Sequence, residues 1–170
     1  MTAAAQPRQF RARVITVSTR TAAGVFDDRS GPILVAGLGE LGLAVDGPIV
    51  VADGAAVGEA LRTAIADRCD VVVTTGGTGC TPTDHTPEQT QPLIDRPVPG
   101  IAEAIRAFGV GNAVPTAALS RGLSGFAGHT LIVNLPGSTG GARDGLHVLQ
   151  GLLVHALEQN LGSDHARVGG

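Results

Sequence analysis

The segment at residues 71–88 carries the residue types that a phosphate-binding site needs. Three valines and two threonines lead into Gly-Gly-Thr-Gly at residues 76–79, which is typical of a buried strand that ends in a turn. Thr86 and Pro87 then begin a predicted helix, with Thr86 as N-cap and Gln89 completing a capping box. A glycine turn and a helix N-terminus both present N–H groups to an anion. The segment therefore predicts an anion-binding loop, and a simple strand-to-helix turn is the alternative.

Two common phosphate loops do not match this segment. A P-loop ends in Gly-Lys-Ser or Gly-Lys-Thr, whereas all 12 residues counted as Lys+Arg in this chain are arginine. A dinucleotide-binding loop runs directly from G-x-G-x-x-G into its helix. Residues 76–79 have a different spacing, and the helix begins several residues later. A phosphate bound here must therefore be held in another way.

Two aspartates follow predicted strands and are candidates for a metal site. Asp84 lies two residues before the helix start, where it would repel an anion unless a cation lies between them; Mg²⁺ held by carboxylates and phosphates is the usual arrangement. Asp53 follows the strand predicted at residues 48–52, and ligands bind where parallel strands end. The two carboxylates could then hold one metal ion. The structural alternatives are a turn stabilised by Asp84 and a helix N-cap at Asp53.

The remaining reactive side chains form no recognisable constellation. The five histidines have no ligand spacing, and only His85 is near the glycine loop, where an exposed loop residue is the simpler interpretation. Cys69 and Cys80 match neither a metal motif nor a disulfide framework. A G-x-S-x-G nucleophile motif is absent from the sequence, which argues against a hydrolase triad of that type.

Apolar patterning and turn residues predict alternating strands and helices. Strands are expected at residues 13–17, 48–52, 71–75, 123–126 and 130–135. Helices are expected at residues 33–43 with Ser30 as N-cap, and at 55–68, 86–94, 101–108 and 146–161, with a break at 96–100 and a helical turn at 115–120. A second glycine-rich turn at residues 136–141 opens the C-terminal helix and is another candidate anion site.

Composition limits the possible partners and location of the chain. Its 170 residues suit one domain at residues 10–162, with a mobile arm at 1–9 and a tail at 163–170. A net charge of −3 without a basic cluster argues against nucleic acid, and the absence of an apolar span argues against a membrane, so a cytoplasmic location is expected. The C-terminal helix is apolar on several faces, which predicts a subunit interface.

Three segments resemble the MoaB/Mog-type molybdopterin-binding domain of molybdenum cofactor biosynthesis. The principal match is the threonine- and glycine-rich run at residues 74–79, followed by Asp-His-Thr-Pro-Glu at 84–88. Residues 17–32 are similar to the family's first loop and helix start, and residues 117–138, which end in Asn-Leu-Pro-Gly-Ser, are similar to its last strand and turn. The resemblance covers residues 13–161, and Thr78 favours the small stand-alone type.

This resemblance, with the order of elements, implies a fold and an activity. The fold would be a three-layer α/β/α sandwich with a mostly parallel sheet and an antiparallel edge hairpin. The implied activity is nucleotidyl transfer: ATP and Mg²⁺ adenylylate the terminal phosphate of molybdopterin and release pyrophosphate. The implied assembly is a homotrimer or homohexamer, with a downstream molybdenum-insertion protein as a further partner.

The resemblance also implies roles for individual residues. Asp53 and Asp84 match the two aspartates implicated in catalysis and would hold Mg²⁺. The residues expected to bind substrate are Ser18, Thr75, Gly76, Gly77, Thr78, Gly79, Thr86, Glu88, Ser120, Asn134, Pro136, Gly137 and Ser138.

Three departures from the family pattern keep a second hypothesis open. Thr19 replaces a frequent aspartate, Thr83 replaces a basic residue, and Thr-Gly at residues 139–140 replaces Pro-Lys. Two positive charges that could face phosphates are therefore missing; candidate replacements are Arg20, Arg121 and Arg143. The alternative is a protein that binds molybdopterin or a related pterin without catalysing transfer. A pterin dehydratase would need a histidine cluster, and the sequence has none.

Overall fold

A computed structural model of the chain describes residues 8–162, so the predicted tail and most of the predicted arm lie outside the described residues. The strands are β1 (Arg11–Val17), β2 (Ala44–Val51), β3 (Val71–Thr75), β4 (Arg96–Pro97), β5 (Ser124–Ala127) and β6 (Thr130–Leu135). The α-helices are α1 (Thr19–Ala22), α2 (Ser30–Glu40), α3 (Ala55–Ala66), α4 (Thr86–Thr90), α5 (Pro99–Gly111), α6 (Thr139–Gln150) and α7 (Leu153–Asn160), with 3-10 turns at Gln91–Leu93 and Pro115–Leu119.

The six described strands form one mixed sheet in the order β2-β1-β3-β6-β5-β4. β1 pairs in parallel with β2 and β3, and β3 pairs in parallel with β6. β5 runs antiparallel to both β6 and β4. The predicted α/β fold, with a mostly parallel sheet and an antiparallel edge, is confirmed.

Alternating strand residues bury the two faces of the sheet against different helices. On one face, Val14 and Val73 pack with the core residues of α2, α5, α6 and α7. On the other face, Ile15, Val72 and Ile132 pack with buried residues of α3. β1, β3 and β6 are therefore covered on both sides, and their carboxyl ends meet at one edge of the sheet.

The C-terminal helix is two helices, so the predicted single helix at residues 146–161 is wrong. α6 begins at Thr139, where Ser138 accepts a hydrogen bond from the N–H of Gly141, and the helix stops at Gly151, a poor helix former. Leu153 and Leu157 of α7 are buried in the chain's own core. Most of the apolar surface that predicted a subunit interface is therefore covered within one chain.

Two predicted N-caps are also wrong. Ser30 and Thr86 are the first residues of their helices, and neither accepts a capping hydrogen bond. Asp28 performs this task for α2, because its Oδ1 accepts from the N–H of Gly31. The break predicted at 96–100 contains the short strand β4, since Val98 donates its N–H to Ser124 and keeps this segment beside β5. None of the helices within residues 8–162 has the length and apolar content to cross a membrane.

Candidate active site

A cavity of about 870 Å³ lies where β1, β3 and β6 end. Its wall includes the last residues of β1 and β3, the glycine loop at residues 76–79, and the second glycine-rich turn at 136–141. Segments at 26–30 and 114–120 complete the wall. Both predicted anion-binding turns thus border one cavity at the carboxyl edge of the sheet, which is where open α/β sheets bind ligands.

The glycine loop needs glycine because it passes directly against other backbone and side chains. Gly76 has a φ of +102°, and a Cβ there would lie 2.2 Å from the carbonyl oxygen of Val17. Gly77 has a φ of +64°, and its Cβ would lie 2.3 Å from Thr86 Oγ1 and 2.4 Å from Asp53 Oδ2. The loop is therefore packed between the end of β1 and the start of α4, and its four residues line the cavity.

Asp53 packs against the glycine loop at Gly77 and bonds the residue that precedes α4. Its Oδ1 accepts hydrogen bonds from the N–H of His85 at 2.9 Å and from the N–H of Gly54 at 2.7 Å. The N-cap position of α3 is Gly54, without a side-chain cap, so the simple capping role considered for Asp53 is not seen. Asp53 is not among the residues that line the cavity, although its Oδ2 lies beside Gly77.

Asp84 borders the cavity directly. Its Oδ2 accepts from the hydroxyl of Thr81 at 2.8 Å and from the N–H of the same residue at 3.1 Å. A Cβ on Gly79 would lie 2.8 Å from this oxygen, so the carboxylate packs against the glycine loop. Asp84 therefore stabilises a turn, as the structural alternative expected, and also presents a carboxylate to the cavity.

The two carboxylates suit a magnesium ion that keeps other ligands. Within residues 8–162, no group of three or more His, Cys, Asp or Glu side chains is placed to hold a metal. Each aspartate is fixed through one oxygen, and the described residues give no hydrogen bond to Asp53 Oδ2 or Asp84 Oδ1. Mg²⁺ commonly takes one or two protein carboxylates and completes its coordination with water and substrate phosphates. The donor set fits that pattern and does not fit an all-protein site.

Arg121 joins the glycine loop to the neighbouring segment of the cavity wall, which includes Ser120. Its Nε donates to the carbonyl of Gly79 at 2.7 Å, and its Nη2 donates to the carbonyl of Asp84 at 2.8 Å. Its Nη1 pairs with the carboxylate of Glu88, and its backbone N–H donates to the carbonyl of Thr78 at 2.8 Å. Of the candidate replacements for the missing positive charges, Arg121 is therefore already occupied by protein groups.

The pairing with Arg121 also sets the charge state of Glu88. The hydrogen bond from Arg121 lowers the pKa of Glu88, and the same contact raises the pKa of Arg121. A carboxylate whose pKa is lowered is fully ionised above its ordinary pKa, so its ion pair is present there. The pair is lost only as the pH falls through the lowered pKa. The pair is therefore formed at neutral pH.

The second glycine-rich turn packs directly on the first. Thr75 donates its hydroxyl to the carbonyl of Pro136 at 2.8 Å, and a Cβ on Gly137 would lie 3.1 Å from the Cα of Gly76. Ser138 accepts from the N–H of Gly141 at 3.0 Å as the N-cap of α6. The N-terminus of α6 is thereby directed toward the same cavity as the glycine loop.

The predicted substrate-binding residues divide into two groups. Those that line the cavity are Ser18, Thr75, Gly76, Gly77, Thr78, Gly79, Ser120, Pro136, Gly137 and Ser138. Thr86, Glu88 and Asn134 do not line it. Thr86 is fully buried and donates its hydroxyl to the carbonyl of Gly76, and Glu88 pairs with Arg121.

The cavity also has charged residues that the sequence did not single out. Asp27, Asp28 and Asp144 line it together with Asp84, and Arg29 is the one cationic side chain among the described lining residues. Asp28 is held by the hydroxyl of Thr16 at 2.6 Å. The adjacent pair Asp27 and Asp28, directly before a helix start, was the only sequence signal for this part of the wall. Four carboxylates facing a cavity favour a ligand that arrives with, or beside, a cation.

Comparison with known proteins identifies the family of the chain. The profile of the family described as "Probable molybdopterin binding domain" matches residues 13–155. A molybdenum cofactor biosynthesis bifunctional protein of Synechococcus elongatus is 41% identical over 160 residues, covering 94% of this chain and 50% of that protein. A molybdopterin adenylyltransferase of Pyrococcus furiosus is 38% identical over 156 residues, covering 89% of this chain and 92% of that protein.

Solved structures give the same assignment. The Mog protein of Mycobacterium ulcerans has a TM-score of 0.84 and 51% identity, covering 89% of this chain and 99% of that chain. The chain spans about half the length of the bifunctional relatives it matches. The resemblance that the three sequence segments indicated is confirmed, and the chain belongs to the molybdopterin-binding-domain family that includes the MoaB and Mog proteins.

Proposed function

We propose that this chain catalyses the adenylylation of molybdopterin. An oxygen of the terminal phosphate of molybdopterin attacks the α-phosphorus of ATP, a new P–O bond forms, and the bond to the β-phosphate oxygen breaks with release of pyrophosphate. No oxidation or reduction takes place. The observation that carries this proposal is the meeting of two glycine-rich turns and Asp84 at one cavity, because phosphoryl and nucleotidyl transfer depend mainly on positioning and charge stabilisation.

The two turns would bind the phosphate groups. Residues 76–79 line the cavity, and the three glycines among them carry no side chain that would keep a ligand from the backbone. The N–H of Gly76 donates to the carbonyl of Leu135, so the N–H groups of Gly77, Thr78 and Gly79 are the ones proposed to meet a phosphate. The N-terminus of α6 adds partial positive charge beside Ser138. Ser18 and Ser120 line the same cavity and can donate hydroxyl hydrogens to phosphate or pterin oxygens.

Asp84 and Asp53 are the carboxylates available to hold Mg²⁺. Asp84 borders the cavity, and Asp53 reaches the same glycine loop on the side of Gly77. Magnesium bound there would neutralise phosphate charge and polarise the reacting phosphate. Asp53 has a second task, because its hydrogen bond to the N–H of His85 fixes the approach to α4 next to Asp84.

One observation favours binding without transfer as a second candidate. The described lining residues include four aspartates but a single cation, Arg29, and the family's basic residue and Pro-Lys are replaced here by Thr83 and by Thr-Gly at residues 139–140. A cavity with this charge could bind molybdopterin and still lack the groups that stabilise the transition state. The two candidates share a ligand and differ in turnover.

The test measures pyrophosphate release from ATP by purified protein with Mg²⁺ and molybdopterin. Asp84→Asn and Asp53→Asn should each lower kcat on the order of 10²-fold or more, because a charge-stabilising group is lost. Asp95→Asn is the control, since Asp95 is exposed and bonds Gly128 on the antiparallel side of the sheet. Release that is equal in wild type and both site variants would contradict the proposal. Absent release with retained molybdopterin binding, unchanged or tighter in Asp84→Asn, would identify the non-catalytic binder.

We further propose that the chain works as a homo-oligomer of three or six copies and passes its product to a molybdenum-insertion protein. The support is the family resemblance, together with the exposed apolar side chains of Val154 on α7 and of Leu161 directly after it. Light scattering coupled to size-exclusion chromatography should give the mass of three or six chains. A single-chain mass at micromolar concentration would contradict this assembly.

A further inference from the structure

The most heavily bonded side chain next to the cavity is Arg121. Its guanidinium donates to two carbonyl groups at either end of residues 79–84 and to the carboxylate of Glu88 at the start of α4. A planar guanidinium suits this task because its donors point in fixed directions. All three of its nitrogen atoms thus contact the loop or the helix that follows it.

The loop that Arg121 contacts has few other constraints. Residues 80–83 are exposed and belong to no helix or strand. Their remaining bonds are local ones, between Thr81 and Asp84 and between the hydroxyls of Thr81 and Thr83, and one weak contact from the thiol of Cys80 to the carbonyl of Leu119 at 3.5 Å. An exposed loop without buried apolar contacts has low local stability. The loop is followed by His85, whose N–H donates to Asp53, so the strong long-range contacts to residues 79–84 themselves are those of Arg121.

The backbone of Arg121 is itself held firmly. Arg106 of α5 donates from Nη1 to the carbonyls of Ser120 and Gly122, one on each side of Arg121. The N–H of Arg121 donates to Thr78, so the segment also bonds the glycine loop through its backbone. Arg121 therefore connects the exposed loop to a segment that is anchored on the core helix α5.

We propose that Arg121 is a positioning residue that holds residues 79–84 against the Ser120 segment and so fixes Asp84 at the cavity. Its effect on turnover rests on the proposed adenylyl transfer, whereas its effect on the loop does not. Arg121 does not touch the reacting atoms, since its donors are used by the protein. A small displacement of a reacting group can cost on the order of 10²-fold in rate. Arg121→Gln should therefore lower kcat by roughly 10- to 100-fold with a smaller change in KM for ATP.

The reaction rate of the Cys80 thiol with an aromatic disulfide reagent reports the loop without reference to activity. Cys80 is exposed within the loop, and Cys69 is buried, with only 1% of its surface exposed, and should remain unreactive in the folded protein. Arg121→Gln should raise the labelling rate of Cys80 severalfold. Loss of a nearby positive charge would by itself slow attack by the thiolate, so a faster rate reports freer access.

Two further variants complete the test. Arg121→Lys should lie between wild type and Arg121→Gln in both labelling and kcat, because an ammonium can satisfy some of the same acceptors but not their planar arrangement. Arg96→Gln is the matched control, since Arg96 likewise joins a carbonyl and a side chain, those of Gly128 and Asn160, away from the cavity. It should leave both readouts unchanged.

Equal labelling rates in wild type, Arg121→Gln and Arg96→Gln would overturn the proposal. A rise in KM with unchanged kcat and unchanged labelling would also overturn it, and would make Arg121 a substrate contact. If the wild type shows no adenylyl transfer, the proposed function fails, and the labelling experiment still decides whether Arg121 holds the loop.

Discussion

Asn134 is a buried polar side chain whose hydrogen-bonding groups are all used inside the protein. It is 2% exposed, its Nδ2 donates to the hydroxyls of Thr74 and Thr90, and its Oδ1 accepts from the N–H of Leu123. It therefore ties β6 to β3, to α4 and to the segment before β5. The structure gives it no free group to offer a ligand.

Removal of the Asn134 amide should destabilise the fold. Asn134→Ala leaves the N–H of Leu123 without its side-chain acceptor, and it removes two donors from buried hydroxyls. A loss of about 1–3 kcal/mol in the free energy of unfolding is expected, measured by urea denaturation. Asn112→Ala, at the exposed end of α5, serves as the control and should have little effect. Unchanged stability with weakened molybdopterin binding would show that Asn134 contacts substrate, as the family resemblance implies.

Arg29 is the cation best placed to meet an anionic substrate. It lines the cavity, is exposed, and makes no ion pair with any other described residue. By contrast, Arg20 lies over the ring of Phe26 at 5.5 Å, and Arg121 is bonded to the glycine loop. Arg29 can therefore supply one of the two positive charges that the sequence lacks relative to its family.

Arg29→Gln should raise KM for the phosphate-bearing substrate about tenfold, which corresponds to ~1.4 kcal/mol of binding. kcat should change less, because the charge would stabilise the bound substrate and the transition state to a similar extent. Steady-state kinetics at fixed Mg²⁺ would measure both constants, with Arg62→Gln on the exposed face of α3 as the control. A KM equal to that of wild type would show that Arg29 does not contact the substrate.

At the scale of helices and strands, the sequence predicts the central elements well and their ends poorly. β3 and β6 have the predicted bounds because apolar runs between turn residues mark buried strands clearly. Helix ends depend on contacts between segments distant in the chain. The carboxylate of Asp28, not Ser30, caps α2, and β4 exists because it pairs with β5. Local patterns cannot report such partners.

The same limit explains what could be predicted of the site. Both glycine-rich turns come directly after strands β3 and β6, and Asp84 lies in the same loop between β3 and α4, so topology brings them together once the sheet is parallel. Thr86 and Glu88 lie in the same motif, but their side chains turn to Gly76 and Arg121. A polar residue that binds a ligand and one that crosslinks the protein have the same appearance in a sequence. Only the three-dimensional neighbours distinguish them.

Two glycines of the cavity wall allow a matched test of the loop's geometry. Gly76→Ala would place a Cβ 2.2 Å from the carbonyl of Val17 at a φ of +102°, whereas a Cβ on Gly140 would meet nothing within 4 Å. Gly76→Ala should lower both stability and adenylyl transfer because the loop must move away from β1. Gly140→Ala lies in the first turn of α6 and should be neutral or stabilising by up to ~1 kcal/mol.

Thermal unfolding and pyrophosphate release would measure the two effects. Equal activity of Gly76→Ala and wild type would show that the close approach of the loop to β1 is not required. Loss of activity in Gly140→Ala with unchanged stability would instead indicate that a ligand occupies the space beside α6.

Over the whole molecule, ion pairs that stabilise the fold lie at the amino ends of the strands, and the candidate ligand site lies at their carboxyl ends. At the amino ends of β1 and β3, Arg13 pairs with Asp46 and Asp67, each at 2.7 Å. Burial lowers the pKa of Arg13, but its hydrogen bonds to Asp67 and Asp46 raise it overall, so the cation is retained at all working pH values. Asp70 lies beside this cluster and is 3% exposed.

This separation predicts that stability and activity can be changed independently. Asp70 accepts from Arg8 at 2.7 Å and from the N–H of Arg11 at 2.8 Å, and it directly precedes β3. Asp70→Ala leaves that N–H without its side-chain acceptor and should cost about 1–3 kcal/mol of unfolding free energy. At roughly 3.3 Å per residue, Asp70 lies on the order of 20 Å along the strand from Gly76. kcat and KM should therefore remain at wild-type values below the unfolding transition.

The comparison that decides this is Asp70→Ala against Gly76→Ala, one at each end of the same strand. Both should lower the midpoint of urea denaturation, since each removes or strains contacts of β3, but only Gly76→Ala should slow pyrophosphate release. A fall in kcat for Asp70→Ala under conditions where the protein is fully folded would mean that strain passes along β3 to the glycine loop. In that case the sheet would be a coupled element, and its amino end would have to be counted as part of the active site's support.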